Sequence, residues 1–575
     1  MSDPTAIQAR PTRFAEWLME PIRANRGVYV KVAVAAVMIN LFALVASLFT
    51  MTVYNRIIPN NATSSLIALS IGMAIMLLFD FILKILRAYF TDIAGADVDR
   101  DVGDSVFARL LALRLDQKRG STGGLASLMR ELETLRDFFA SATLTAVVDV
   151  PFIIVTLVVM ALIGGWLVLV PLVLIPIVAI VGIMTEPALD RLSSKGMSQA
   201  MLKQSVLVET IGGLEMVKSV NAGPLLRRRW GDAAELHAHT SLTQRLIANI
   251  SVTVASTGQQ IAYAAVVVAG VGMINAQDLT MGGLIACSIL SGRAVAPLGQ
   301  IASLLSRLNA TRTAYRQLNG LMETPIEGAG QNALKLDKVS GQVEFKNVTF
   351  SYPGATEKAL DGVSFKIAPG EKVALLGRVG SGKSTIARMI LGLYPPSDGL
   401  VMIDGTEVRQ LDMGALRRHI GSVMQDTVLL SGSVRENIQL DRDYVDDAEL
   451  LRAGQLSGTH EFIGRIANGY DLVLADRGES LSGGQRQSIG LARALAGKPS
   501  MLIMDEPSSA MDNQTESALL ARLAPEIAHR TVLLITHRLP LLQLVSRIIL
   551  MDQGKVIADG PRDTIIKQFS GKQVA

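Results

Sequence analysis

The stretch Leu481-Ser482-Gly483-Gly484-Gln485 decides how this chain is read, because it stands between a glycine-rich loop far upstream and a pair of acids shortly downstream. Upstream, Gly377-Arg378-Val379-Gly380-Ser381-Gly382-Lys383-Ser384-Thr385 fits G-x-x-x-x-G-K-[ST], a pattern in which glycines let backbone N–H groups close around phosphate oxygens. A glycine-rich turn with a chance lysine has the same letters. What argues for the phosphate loop is its setting: Lys372–Leu376 reads as a buried strand before it, and Thr385–Leu393 as a helix whose N-terminus faces the phosphates. In that arrangement Lys383 reaches the β- and γ-phosphates of ATP and Ser384 holds Mg²⁺.

Downstream, Met501-Leu502-Ile503-Met504-Asp505-Glu506 is an apolar strand ending in two acids. Burying a carboxylate is costly, so acids at the end of a buried strand meet a cation or solvent. Asp505 fits a Mg²⁺ ligand, directly or through water, and Glu506 fits the general base that orients and deprotonates an attacking water. Alone, two acids opening a loop would be the favoured reading, and the phosphate loop upstream argues against it.

From about Val343 to the C-terminus the chain resembles the ATP-binding-cassette (ABC) family. The resemblance implies that Ser482, Gly483, Gly484 and Gln485 bind the γ-phosphate held by the opposite subunit, at the start of the following helix, where free N–H groups suit an anion. It implies further roles, each by position. Gln425, in Ser422-Val423-Met424-Gln425-Asp426, is similar to the loop glutamine that contacts Mg²⁺ and water and touches the membrane domain. His537, after Val532–Ile535, is similar to the histidine that contacts the γ-phosphate. Tyr352, in Phe350-Ser351-Tyr352-Pro353, resembles the aromatic that stacks on adenine, and Asp512 the aspartate that couples the two sites across the dimer. One departure stands out. Many exporters of the family carry Gly-Glu just before the signature, and Asp476 occupies that place here with the same charge and a shorter reach.

The bulk composition is that of a partly membrane-embedded chain. Of its 575 residues 49% are hydrophobic and only 18% charged, and a mean hydropathy of +0.36 requires the apolar excess to be localised. It lies in the first half, in six stretches near Val28–Val53, Leu66–Leu86, Leu144–Ile163, Trp166–Met184, Ile247–Ile274 and Met281–Ala302. Each approaches the roughly twenty residues needed to cross a bilayer. Arg10, Arg13, Arg23 and Arg26 precede the first stretch. Arg87, Arg100, Arg109, Arg114, Lys118 and Arg119 follow the second, and Lys203, Arg227, Arg228 and Arg229 separate the fourth from the fifth. The outer turns offer only Arg56 and Asp278. The positive-inside rule then places both termini and the ATPase in the cytoplasm. The hydrophilic leader lacks the pattern of a secretory signal.

The net charge of +4 is small and gathers near membrane ends, so anionic lipid, not nucleic acid, is the expected partner. Cys287 is the only cysteine and falls inside the last apolar stretch, which excludes disulfides within the chain and cysteine-rich metal sites. Glu323–Gly341, with Pro325, Gly328 and Gly330, reads as a linker.

The expected fold is therefore a membrane all-α domain of six transmembrane helices (28–322) behind a leader (1–27), then the linker (323–341) and an α/β P-loop ATP-binding cassette domain (342–575). Two amphipathic segments, Leu125–Phe138 with Arg130, Glu131, Glu133 and Arg136, and Val206–Val220 with Glu209, Gly212, Gly213, Val217 and Lys218, are candidates for the cytoplasmic cross-helices that rest on the ATPase in exporters of this family. Asp80 and Lys84 share a helix face inside the second stretch. A charge in hydrocarbon must face protein or water, so the pair reads as a salt bridge or a substrate contact, as does Arg293. Gly292 and Pro297 can kink the last span.

Within the family, Phe49-Thr50-Met51-Thr52-Val53-Tyr54-Asn55-Arg56-Ile57-Ile58-Pro59-Asn60-Asn61 and Ala140-Ser141-Ala142-Thr143-Leu144 resemble the permease-ATPases of bacterial type I secretion. That resemblance implies an inner-membrane homodimer that exports an unfolded protein substrate with a membrane-fusion (periplasmic adaptor) protein and an outer-membrane channel. An exporter of lipid, drug or other small molecule uses the same machinery and is the alternative. A leader-cleaving peptide exporter would add an N-terminal cysteine-protease domain, which the short leader and the embedded Cys287 argue against. A non-transport ABC protein acting on DNA or ribosomes is not expected to carry six spans. Fusion of membrane and ATPase parts in one chain favours export over import by family pattern.

Overall fold

Met501–Met504 and Val532–Ile535 are apolar, and their strands Met501–Asp505 and Thr531–Ile535 are buried at every position, which suits strands covered on both faces. They are interior neighbours in a six-stranded sheet ordered Lys555–Pro561, Arg547–Asp552, Lys372–Gly377, Thr531–Ile535, Met501–Asp505, Ile420–Val423. All neighbours are parallel except the antiparallel edge pair Arg547–Asp552 and Lys555–Pro561. Register aligns Ile535 with both Leu375 and Asp505, and Val423 with Met504, so four strands end together. In an open α/β sheet that C-terminal edge is where ligands bind. The computed structural model describes residues 14–117, 122–139, 143–327, 333–475 and 478–569. Arg10, Arg13, Lys118, Arg119, the side chain of Arg130, Ala140–Ala142, Gly328, Gly330 and Asp476 lie outside the described residues.

The expected strand Lys372–Leu376 is present as Lys372–Gly377, and the helix after the loop runs Lys383–Ile390, two residues earlier at its start than its apolar pattern suggested. A second, antiparallel sheet orders Leu360–Ile367, Val343–Phe350, Asp398–Ile403 and Thr406–Glu407. Phe345 and Phe365 are cross-strand partners in it and stack at 4.7 Å. Its core includes Val343, Phe345, Ile386 and Ile390, and it delivers Tyr352 from the end of its strand.

The chain divides into two compact units, Met1–Leu111 with Arg119–Thr324, and Ala112–Lys118 with Pro325–Ala575. The first is helical. Arg26–Asn60, Thr63–Leu111, Val150–Gly212 and Gly223–Asn275 are long and apolar enough to cross a membrane, and Met281–Pro297 is the apolar start of the helix Met281–Glu323. The third and fourth apolar stretches lie in the helices Thr143–Gly164 and Leu169–Gly212, joined through a 3-10 turn at Gly165–Val168 in which Gly165 has φ +52°. Thr63–Leu111 leaves Ile67, Leu78, Phe81 and Ile85 exposed along its apolar half, a surface suited to lipid. The Gly223–Asn275 helix has 53 residues, or about 80 Å, far more than a bilayer of about 30 Å requires. The helix-forming charged residues beyond the apolar stretch continue it.

Asn55, within the stretch resembling secretion ATPases, sits on a π-helical turn, Val53–Ile57. Its Oδ1 accepts from Gly282 N at 2.8 Å, and its Nδ2 donates to Thr280 Oγ1 at 2.8 Å, closing the turn after the first apolar stretch onto the start of the last helix. Gly282 is required there, since a Cβ would stand 2.5 Å from both Asn55 Oδ1 and Met51 O. Lys84 Nζ lies 2.6 Å from Asp80 Oδ2.

One of the two cross-helix candidates is a single helix and the other is not. Leu125–Phe138 belongs to Thr122–Phe139, which packs against Thr63–Leu111, Leu169–Gly212 and Met281–Glu323 in its own unit. Val206–Val220 is not one helix. It holds the end of Leu169–Gly212, a break at Gly213 and the short helix Leu214–Ser219, because two adjacent glycines give the helix a cheap place to stop. The piece of the second-to-third connection that groups with the ATPase unit is Ala112–Lys118, with a 3-10 turn at Leu115–Gln117. Leu113 bridges Ile326, Glu327 N donates to Ala112 O at 2.8 Å, and Arg114 is bidentate to Asp116 at 2.9 and 2.7 Å.

Candidate ATP site

Two glycines shape the phosphate loop. Gly377 has φ +146° and Gly382 φ +97°, and a Cβ on them would stand 2.1 Å from Met551 O and 2.5 Å from Ala359 O, so neither can carry a side chain. The loop closes on Lys383, whose Nζ donates to Gly377 O at 2.8 Å, Arg378 O at 2.7 Å and Ser381 Oγ at 3.2 Å. Burial lowers the Lys383 pKa, opposed by the charges of Asp505 and Glu506. Gly380, Ser381, Gly382, Lys383, Ser384 and Thr385 line a pocket of about 370 Å³ with Tyr352, Lys358 and Arg388. Tyr352 is fixed by its hydroxyl, which lies 3.0 Å from Thr385 Oγ1 and accepts from Arg388 Nη1 at 2.8 Å. Its ring packs edge-on against Phe350 and Tyr394. Val379 is fully exposed at the loop tip.

Asp505 ends its strand 2% exposed. Burial raises its pKa, and a hydrogen bond with Ser384 pulls the other way. Its Oδ2 and Glu506 Oε2 are buried with no hydrogen-bond partner. An unpartnered carboxylate oxygen beside the Ser384 hydroxyl is an oxygen donor set that fits Mg²⁺. Glu506 has φ +51°, unusual for a residue with a side chain. Its N donates to Ile535 O at 2.8 Å, and His537 Nδ1 lies 2.7 Å from its Oε1. That contact ties the imidazole to the carboxylate, and the His537 side chain is otherwise open to solvent.

Lys383, Ser384, Asp505, Glu506 and His537 thus converge from three neighbouring strands, and exposed Gln425 follows the next strand at the same edge. The Leu481–Gln485 turn does not line the phosphate-loop pocket. Ser482 instead caps the helix Gly483–Leu495: its Oγ accepts from Gln485 N at 3.2 Å, while Gln485 Oε1 accepts from Ser482 N at 2.9 Å. Asp512 caps Asn513–Glu526 through Thr515 N at 2.7 Å, which holds its carboxyl below the ordinary range.

Residues outside the recognised motifs organise this edge. Gln487 bonds to the Glu506–Ala510 segment, and Arg538 Nη1 reaches buried Glu516 at 3.1 Å and Met511 O at 3.3 Å. A buried glutamine on a helix face that is otherwise small and apolar, and an arginine directly after His537, were the available signals.

Two family models match: ABC transporter over residues 360–509 and ABC transporter transmembrane region over residues 30–298. The leukotoxin translocation ATP-binding protein LktB of Mannheimia glucosida is 30% identical over 560 residues, covering 96% of this chain and 78% of that protein. LktB of Mannheimia haemolytica matches equally. Among solved structures, a bacterial Atm1-family ABC exporter with ATP bound superposes with a TM-score of 0.84 at 24% identity, over 97% of this chain and 99% of that one.

Proposed function

The chain belongs to the ABC transporter family as a multi-pass membrane ATPase of exporter fold, and on that premise we propose that it drives type I secretion of an unfolded protein across the bacterial inner membrane. The observation that carries the reading is the 30% identity to leukotoxin translocation proteins, which runs through 96% of the chain and so includes the membrane half where cargo is met. Its partners are a periplasmic adaptor and an outer-membrane channel, and its ATPase and termini are cytoplasmic. The Atm1-family likeness lies in the fold alone, and export of a small molecule is the second reading.

One chain supplies six spans and one set of ATPase motifs, so two copies complete two sites, each pairing Lys383 of one subunit with Ser482 of the other. Lys383 and the N–H groups of Gly380–Thr385 hold the phosphates, with Arg378 and Val379 at the loop tip, while Tyr352 meets the adenine. Ser384, Asp505 and Gln425 would hold Mg²⁺, which neutralises phosphate charge when bound. Glu506 takes a proton from the attacking water, and His537 holds that carboxylate through Nδ1 and meets the γ-phosphate with the rest of its ring. Ser482, Gly483, Gly484 and Gln485 approach the same phosphate from the second copy, and Asp512 couples the sites. Closure of the dimer passes to the membrane half through Gln425 and the short cytoplasmic connections, and hydrolysis resets it.

The test compares the culture-supernatant proteomes of cells carrying the native chain or Glu506→Gln. One or a few large proteins should leave the medium and accumulate inside the variant cells. An unchanged secreted proteome overturns protein secretion and moves small-molecule export to first place.

A further inference from the structure

We propose that Gln487 is a positioning residue that transmits the state of one nucleotide site to the catalytic carboxylate of the other. Gln487 lies on the helix Gly483–Leu495 and is 3% exposed. Its carboxamide is spent on one short segment: Nε2 donates to Glu506 O at 2.7 Å and to Ser509 Oγ at 3.1 Å, and Oε1 accepts from Ala510 N at 3.0 Å. Both amide donors are thereby used, and the Ala510 N–H fixes which end of the carboxamide is oxygen.

The same helix presses on this segment with its first turn. A Cβ on Gly483 would stand 3.2 Å from Ala510 Cβ, and one on Gly484 3.0 Å from Ala510 O. Glu506 in turn holds its left-handed backbone, φ +51°, between two anchors, Ile535 O on its N–H and Gln487 on its carbonyl. Removing Gln487 frees the carbonyl end of a residue whose conformation persists only while its surroundings enforce it. The Oε1 contact to His537 and the aim of the base then loosen together.

This role presupposes the homodimer with composite sites proposed above. There, Ser482 serves the nucleotide on the partner's phosphate loop, whereas Glu506 serves the nucleotide beside its own Lys383. Gln487 is a rigid side-chain link, within one chain, between a helix that reports on one nucleotide and a base that acts on the other.

The full chain in lipid nanodiscs, as wild type, Gln487→Ala and Gln487→Glu, provides the test. Steady-state ATPase is measured against ATP concentration and pH, equilibrium nucleotide affinity by fluorescence, and copy number by native mass spectrometry. Gln487→Ala should lower kcat at least about tenfold, in the range for a misaligned general base, and remove the sigmoidal ATP dependence. Its KM and nucleotide affinity should stay within about threefold of wild type, since no phosphate contact is lost. Gln487→Glu can donate to Glu506 O only when protonated, so its kcat relative to wild type should rise as pH falls from 8 to 6. A packing role leaves that ratio flat. If Gln487→Ala is unstable or loses nucleotide affinity, the pH ratio of Gln487→Glu decides alone. A single copy per particle overturns the homodimer reading and the link with it. Two copies with a sigmoidal wild type, combined with a sigmoidal Gln487→Ala of normal kcat or a flat Gln487→Glu ratio, overturn the link and leave the homodimer standing.

Discussion

Glu506 and Asp505 are adjacent in sequence and opposite in what they demand of the fold. Glu506 meets His537 at 2.7 Å and keeps one buried oxygen free of any partner. An amide in its place retains the shape and cannot take a proton. Glu506→Gln should therefore bind ATP and turn it over at least about a hundredfold more slowly, measured as phosphate release beside nucleotide binding, and near-normal turnover would remove the base from this position. Asp505 is a stability liability instead. Burial raises its pKa above the ordinary 3.8, so the folded state binds the proton more tightly than the unfolded chain does. Ionising it costs stability as pH climbs from that ordinary value through the raised one, and the cost is complete above both. In nucleotide-free protein, Asp505→Asn should melt a few degrees higher than wild type at pH 7.5, on the scale of about 2–4 °C per kcal/mol for a domain of this size. The gap should narrow as pH is lowered toward the ordinary value. Equal melting at both ends of that range contradicts the sign argued here. The motif residues themselves were legible because glycine, lysine and acid spacing encodes local geometry. Gln487, Glu516 and Arg538 were not, because their partners are set by how one helix and two loops meet, which spacing does not encode.

The helix Gly483–Leu495 combines two tasks at its first residue. Ser482 caps it and, in the proposed dimer, faces a phosphate. Substitutions can separate these tasks. Ser482→Ala removes the cap and should cost about 1 kcal/mol. Ser482→Asp keeps a capping oxygen and adds a negative charge where the γ-phosphate must approach. Its melting temperature should match wild type while ATPase falls at least about tenfold, since like charges in a partly desolvated site repel by several kcal/mol. Wild-type turnover in Ser482→Asp would place the phosphate elsewhere. At this scale the strands were easier to read than the helices. Met501–Asp505 declares itself by an unbroken apolar run. The membrane helices outrun their apolar stretches because Ala, Arg, Glu and Gln continue a helix in water as well as leucine does in lipid. The Val206–Val220 expectation failed at Gly212-Gly213, where the periodicity persists across a backbone break. Ala112–Gln117 was invisible, since its place in the ATPase unit comes from partners distant in sequence, among them Ile326 through a bridge and Glu327 through a hydrogen bond.

For the molecule as a whole, the decisive fact is that its phosphate-loop pocket is lined by Tyr352 and residues Gly380–Thr385 without the Leu481–Gln485 turn. On the proposed reading, a second copy brings the Leu481–Gln485 turn to that pocket and completes each site. A two-fold dimer satisfies this with one self-complementary interface. If the two sites are also coupled, one defective subunit silences its partner, and activity follows the chance that both subunits are intact. Co-expressing wild type with Glu506→Gln in equal amounts should then leave about a quarter of the ATPase of wild type alone at the same total protein, and varying the ratio should trace the square of the wild-type fraction. Subunits that turn over independently leave about half and trace a straight line. Purification through a tag on the variant alone sharpens the comparison, because every particle recovered contains at least one defective copy. Coupled sites predict that this fraction is nearly inactive at any mixing ratio. Independent sites predict that it retains activity in proportion to the wild-type subunits carried along, and that result would exclude the concerted dimer.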